Sequence, residues 1–349
     1  MSTPASEGYR MPAEWEPHEA TWLSWPRRDG VSFPGSYDRV VPVFVKMVEA
    51  LATSEKVRIN VSDTAMEKEL CRLLSRVPAG QVEYFPIETN EPWCRDHGPV
   101  FVTRQRTPSL AVVDFGYNAW GWKYPPFDAD DEVPTKVAKH LGLKVFDFGD
   151  FVLEGGSIDV NGHGAVLTTE SCLLNPNRNP SLDRRAIEEK LKKTLGVSEV
   201  LWLGDGIEGD DTDGHVDDIT RFVSEDTVVT AVEENEDDPN YEPLQANFRR
   251  LESMSVSAGK PLRILKLPMP PKMVREGHRL PASYANFYIA NRVILLPVFN
   301  DPADHWARSV LHEAFPDREI VPIDCRELIW GLGAFHCLTQ QQPALPNKG

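Results

Sequence analysis

A handful of side chains in this sequence have the types that carry group transfer, and each sits in a short polar cluster containing glycine. Cys337 closes Gly331-Leu332-Gly333-Ala334-Phe335-His336-Cys337. A thiol after such a turn lies where backbone can approach a ligand closely, and its thiolate is a nucleophile. On position alone the commoner reading is a small buried hydrophobe, and Cys94 competes for the role from within Trp93-Cys94-Arg95-Asp96-His97-Gly98.

His215 stands in Asp211-Thr212-Asp213-Gly214-His215-Val216-Asp217. His-x-Asp on an extended strand would put His215 and Asp217 on one side, where the carboxylate raises the imidazole pKa and orients the ring. The alternative is a metal site, because Asp210, Asp211, Asp213, Asp217 and Asp218 surround the histidine. The calcium-loop spacing fails, with Gly209 in place of the first Asp and Thr220 in place of the final Glu, and no HExxH pair exists. A carboxylate cluster without metal is the better reading.

Asp96 lies beside Trp93, a carboxylate next to an aromatic face. That pairing suits a planar cation, gripped through its N–H groups and stacked on the ring. The bland reading is a salt bridge from Asp96 to Arg95. Glu154-Gly155-Gly156 supplies a further carboxylate, or merely a strand-end turn. Taken together, the carboxylates would hold a cation, the cysteine would attack it and the histidine would move protons. A small biological cation with an electrophilic carbon is a guanidinium.

The elements that must position these groups alternate along the chain. Strands are expected at Val57–Val61, Leu110–Phe115, Ala165–Thr168, Val200–Leu203, Ile219–Val223, Val228–Ala231, Ile264–Leu267, Phe287–Ala290 and Val293–Pro297. Helices are expected at Tyr37–Ala52, Ala65–Leu74, Thr135–Leu141, Arg184–Leu195 and Ala303–Phe315, with Ser181 as the cap before Arg184. The interleaving predicts an α/β or α+β fold. The polar clusters, including Tyr284-Ala285-Asn286, recur about every 50–70 residues, as repeated units of roughly 70 residues would give. The loops of any α/β enzyme would look similar, and spacing alone does not separate the two. Glu233 to Asn240 reads as a solvated acidic loop, and Gln340–Gly349 as an irregular tail.

Composition narrows the partners. The 349 residues include 37 Lys or Arg and 53 Asp or Glu, a formal net charge of −16. That sign disfavours nucleic acid and anionic membranes. A hydrophobic share of 41% excludes wholesale disorder. No apolar run approaches the roughly 20 residues of a membrane span, and none at the start suggests a signal peptide. The cysteines Cys71, Cys94, Cys172, Cys325 and Cys337 are odd in number and form no CxxC pair. Free thiols in a reducing cytoplasm are therefore expected.

Beyond these readings, the ordered motifs resemble the porphyromonas-type peptidylarginine deiminase family of the guanidino-group-modifying superfamily. The resemblance runs from Met11-Pro12-Ala13-Glu14-Trp15-Glu16-Pro17-His18 and Trp22-Leu23-Ser24-Trp25-Pro26 through Trp93 to Pro99, Asp114 to Gly121 and Glu154-Gly155-Gly156. It continues through Cys172 to Asn179, Asp211 to Asp217 and Tyr284 to Tyr288, and ends at Gly333 to Pro343. It implies a pentein fold, a five-bladed α/β propeller with pseudo-fivefold symmetry, over one catalytic domain, residues 1–349. It implies Cys337 as nucleophile, His215 as acid and base, Asp96 and Asp217 as guanidinium ligands and Glu154 near the histidine. Trp93 and Asp211 would be further substrate contacts. Leu332, Ala334 and Phe335 stand where the family pattern leads one to expect Gly, Asn and an aliphatic residue.

The implied reaction is hydrolysis of agmatine to N-carbamoylputrescine and ammonia through an amidino-cysteine, with neither metal nor cofactor. A homodimer is common in the family. Rival readings keep the chemistry and change the substrate to peptidyl or free arginine, for which Arg95 or Arg178 would meet a carboxylate, or pass the amidino group to an amine. A non-catalytic pentein that binds a macromolecule has no use for Cys337, His215, Asp96 and Asp217 together.

Overall fold

Runs rich in Val, Ile and Phe pair as short strands in five small sheets that share one plan. The computed structural model describes residues 2–256 and 259–345. In each unit a tight turn leads into a strand, the next strand pairs with it antiparallel, and a helix crosses back to a third strand that runs parallel. The plan is clear in the unit that begins at the turn Gly155–Ser157. Strand Asp159–Val160 runs antiparallel to Ala165–Thr169, helix Arg184–Leu195 crosses, and Glu199–Leu203 lies parallel. The other units begin at the turns Cys94–His97, Val216–Asp218, Tyr284–Asn286 and Phe335–Leu338.

The last of these is assembled from both ends of the sequence. After Phe335–Leu338, strand Thr339–Pro343 runs antiparallel to His18–Ser24. Helix Tyr37–Leu51 then crosses to Lys56–Val61, parallel to His18–Ser24, and Val82–Pro86 adds a fourth strand. Each of the five turns touches the next, and the fifth touches the first, so they form a closed hub. Strands such as Ala165–Thr169 are buried along their whole length, as sheets covered on both faces require.

The helices cover the sheets with one face each. Tyr37–Leu51 buries Val40, Phe44, Met47, Val48 and Leu51, the spacing of one helical stripe. Each large side chain so buried contributes about 1.5–3 kcal/mol. Arg184–Leu195 has the bounds read from the sequence, but its cap is Asp183, whose carboxylate accepts from Ala186 N; Ser181 is exposed. Asp183→Ala should therefore lower stability by about 1 kcal/mol, and Ser181→Ala should leave the urea midpoint unchanged.

Several elements depart from the sequence reading. Gln340 to Pro343 is a strand, although Thr339–Pro343 shows no apolar alternation. Its three glutamines are buried, and two of them are hydrogen-bonded through their side chains: Trp22 Nε1 donates to Gln342 Oε1 at 3.0 Å, and Gln340 Nε2 donates to the Pro99 carbonyl at 2.8 Å. Residues 346–349 of the expected tail lie outside the described residues. Helix Tyr241–Ser253 was not foreseen, because Leu244 and Leu251 are its only buried large apolar side chains. The stretch from His215 to Asp217 is not an extended strand, since Val216–Asp218 is a 3-10 turn.

Candidate active site

The five turns bring their polar side chains to one place. Cys337, Asp96 and Trp93 open into a cavity of about 570 Å³, together with Trp120, Tyr124, Glu208, Asp211 and Arg279. His215, Asp217 and Glu154 lie directly beneath, all fully buried. The Cys337 thiol donates to Asp217 Oδ2 at 3.6 Å and accepts from Asn286 Nδ2 at 3.0 Å. Asn286 Oδ1 accepts from the backbone N–H of Ala334, His336 and Cys337 at 3.1, 3.1 and 3.2 Å. Ala334 has no side chain that could cap this short helix, so a carboxamide from the neighbouring unit does so and fixes the nucleophile.

Asp96 is held from two sides. Gly156 N donates to its Oδ1 at 2.9 Å and Trp120 Nε1 to its Oδ2 at 3.0 Å. Presenting that indole takes four consecutive left-handed residues, Ala119 to Trp122. Such a conformation costs roughly 1–2 kcal/mol per non-glycine residue. Leu332 is left-handed too, with φ 71°, at the position where glycine was expected.

His215 Nδ1 lies 3.7 Å from Asp96 Oδ1 and 4.0 Å from Asp217 Oδ1. Both its ring nitrogens, Asp217 Oδ1 and Glu154 Oε2 are buried without a hydrogen-bond partner. His215 Nδ1 and Asp217 Oδ1 face each other beside Asp96, with hydrogen-bonding capacity left to engage a substrate. No side chain fits between them: a Cβ on Gly156 would meet His215 Nδ1 at 2.6 Å, Asp96 Oδ1 at 2.8 Å and Asp217 Oδ2 at 3.0 Å.

The electrostatics favour a bound cation. Burial lifts Asp96 to about 6, with Asp217 and Glu154 adding to the rise against His215. Burial, then Asp217, Asp218 and Asp96, push the Cys337 thiol well above its usual range. Burial works against a charged His215, but Asp96, Cys172 and Asp217 outweigh it and raise its pKa. These shifts favour a neutral thiol beside a charged imidazole.

The neighbouring charges are committed elsewhere. Arg95 pairs with Glu14 at 3.0 Å rather than with Asp96. Arg178 pairs with Glu154 at 2.6 Å and Asp213 at 2.5 Å. Neither arginine lines the cavity. The five aspartates around His215 point different ways: Asp210 accepts from Thr212, Gly214 and His215 N–H groups, Asp211 accepts from Tyr124, and Asp218 from Asn286. Donors of Glu154, Cys172 and His215 lie within 4.8 Å of one another, as do those of Asp217, Asp218 and Cys337. Arg178 supplies positive charge beside Glu154, and His336 Nδ1 already occupies Asp217 Oδ2; both disfavour a metal cation. Cys94 is buried outside the cavity with its thiol pushed up to about 12, the hydrophobe's role.

Of the residues singled out in the sequence, the structure puts Cys337, Asp96, Trp93 and Asp211 at the cavity and His215, Asp217 and Glu154 beneath it. Sequence reasoning missed the work of Asn286, Trp120, Gly156 and His336. All four lie in motifs that were noticed, but nothing in their spacing shows that a carboxamide caps one turn from another.

Five such units around a shared polar hub define a pentein. The sequence profile of the Porphyromonas-type peptidyl-arginine deiminase family matches residues 10–343. An agmatine deiminase of Pseudomonas aeruginosa (strain LESB58) is 39% identical over 99% of this chain and 98% of its own. The structure of the agmatine deiminase of Enterococcus faecalis superposes with a TM-score of 0.90 at 35% identity, covering 98% of each chain. A cysteine-to-serine variant of the C. jejuni agmatine deiminase, solved with substrate bound, gives 0.87 at 32% identity over 96% of each. The chain belongs to the Porphyromonas-type peptidyl-arginine deiminase family.

Proposed function

We propose that this protein hydrolyses agmatine to N-carbamoylputrescine and ammonia, with Cys337 as nucleophile. The observation that carries the reading is the cavity. Its floor presents Cys337 and Asp96, and its walls offer Asp211 and Glu208 among Trp93, Trp120 and Tyr124, a lining suited to a second cation. Arg279, the arginine of that lining, is held by Glu208 at 3.1 Å and Asp238 at 2.7 Å, and Arg95 and Arg178 are sequestered. A substrate carboxylate would find no unpaired arginine among them, whereas the amine of agmatine meets acids. The names of the family's relatives agree with this substrate.

The geometry supports a two-stage reaction. Asp96 and the free Oδ1 of Asp217 grip the guanidinium and keep its carbon electrophilic. The bound cation offsets the charges that hold the thiol protonated, so Cys337 loses its proton to the solvent of the cavity. Its sulfur bonds to the guanidinium carbon, and His215 gives a proton to one nitrogen, which leaves as ammonia when its C–N bond breaks. The neutral imidazole, with Glu154 beside it, then takes a proton from water. The water oxygen adds to the same carbon, the C–S bond breaks, the remaining hydroxyl proton passes to the departing ammonia through solvent, and thiolate and ureido product remain. All five units build this site, so we read the described chain as one catalytic domain. We place it in the cytoplasm: its cysteines are free, and among the described residues no helix is long and apolar enough to cross a membrane.

Ammonia release from agmatine, arginine and a blocked arginyl peptide, measured side by side in EDTA, tests the reading. Agmatine should exceed the others by at least ~100-fold in kcat/KM. Because Asp96 must be ionised to bind the cation, kcat/KM should fall as pH drops through about 6. Preference for arginine or the peptide would overturn the substrate. Equal loss with EDTA would overturn the metal-free chemistry.

A further inference from the structure

His336, the residue before the nucleophile, is absent from the chemistry above, as is Glu14 from the Met11 to His18 motif. The two are joined. His336 Nδ1 lies 2.6 Å from Asp217 Oδ2, and its Nε2 lies 2.8 Å from Glu14 Oε2. All three groups are buried. Glu14 is itself fixed by Arg95 Nη2 and Arg221 Nη2, each at 3.0 Å, and by Ile289 N at 2.8 Å. Arg95 Nε also donates to the His336 carbonyl at 3.3 Å.

We propose that Glu14 and His336 form a positioning relay, in which an imidazole donating from both nitrogens holds Asp217 ionised, with Oδ2 shared with Cys337 and Oδ1 free for substrate. An ionised carboxylate only accepts, so a ring between two of them must donate at both ends. The geometry assigns the oxygens of Asp217 separate tasks: Oδ2 receives His336 and the Cys337 thiol, and Oδ1 has no partner.

Asp217 needs such a partner. His215 and Arg221 favour its charge, while Asp218 of its own turn, and Asp96 and the Cys337 thiol from two others, crowd it. Burial alone would protonate it, and His336 is the leading group among those that hold it below the usual carboxylate range. Without the ring, Asp217 should take up a proton within the working pH range. It would then lose its grip on a guanidinium.

The relay rests on the guanidine-hydrolase reading, so its test has a readout that needs no turnover. In ¹⁵N spectra of histidine-labelled protein at pH 7, the His336 ring, assigned by its loss in His336→Gln, should show both nitrogens protonated. A neutral tautomer would overturn the relay whatever the substrate proves to be. With agmatine, His336→Leu should lower kcat/KM by at least ~100-fold and move its acid limb to higher pH. Glu14→Gln should move the limb the same way, and His336→Gln should recover part of kcat through a neutral N–H donor. If His336→Leu does not fold, the other two variants decide. A lower kcat with an unmoved limb in both would mean that the ring is structural only. No guanidine turnover by the wild type would sink the function instead, and the spectra would still judge the relay.

Discussion

Cys337→Ala should lower agmatine turnover by at least ~10⁵-fold while leaving agmatine bound within a few-fold of its wild-type affinity. The two halves follow from different atoms. Bond formation at the guanidinium carbon needs the sulfur, and no other thiol opens into the cavity among the described residues. In the proposed reaction cation binding rests on Asp96 and on Asp217 Oδ1, neither of which leans on the thiol for its position. Gly156, Trp120 and His336 hold them. Calorimetry with the inert variant measures the second half directly. Turnover surviving in this variant would remove the covalent route and return attention to the donors at Glu154, Cys172 and His215. Loss of binding along with turnover would mean that the variant had collapsed the floor of the cavity.

Gly156→Ala should be nearly as damaging, by ~10³-fold in kcat/KM, although the change adds one methyl group and removes no functional atom. That methyl would stand 2.6–3.0 Å from atoms of His215, Asp96 and Asp217 together. Side chains so closely held cannot all give way, and a displacement of about 1 Å at a reacting group costs on the order of 10²-fold. It would also disturb the N–H that Gly156 gives to Asp96. Overpacking should take about 1–3 kcal/mol from stability as well, so a urea titration belongs beside the kinetics. Gly333 offers a comparison, since its Cβ would meet Cys337 Cβ at 3.0 Å and the Trp93 ring at 2.7 Å. If Gly156→Ala kept more than a tenth of wild-type kcat/KM, the hub would be softer than its contacts indicate.

How much of this was legible in the sequence depended on the kind of signal. Apolar periodicity located the helices Tyr37–Leu51 and Arg184–Leu195 closely, because a buried stripe repeats at the helical period. The same signal missed Thr339–Pro343, which is buried through glutamine hydrogen bonds that leave no apolar trace. Residue type picked out the side chains that the hub brings together, because cysteine, histidine and carboxylates beside glycines narrow the chemistry. Position along the chain misled where a local geometry was assumed. His215 and Asp217 are neighbours through a 3-10 turn rather than a strand, and Asp96 takes its partners from Trp120 and Gly156 rather than from Arg95. The recurrence of clusters suggested repeats, but the pairing of His18–Ser24 with Thr339–Pro343 shows how the fifth unit is made. Contacts between such distant residues have no local signature. The resemblance to a family supplied the pentein expectation that periodicity could not.

That pairing also sets an order in time. A chain made as far as Leu332 already contains Asp96, Glu154, His215 and Asp217, but not Cys337. The strand His18–Ser24 waits with one edge unpaired until its partner, the segment directly after the thiol, arrives from the far end of the sequence. Bringing the two together spans almost the whole chain, the kind of long-range closure that makes folding slow. The segment that closes the ring is thus the one that carries Cys337, the nucleophile of the proposed reaction, so on that reading site and ring are completed together.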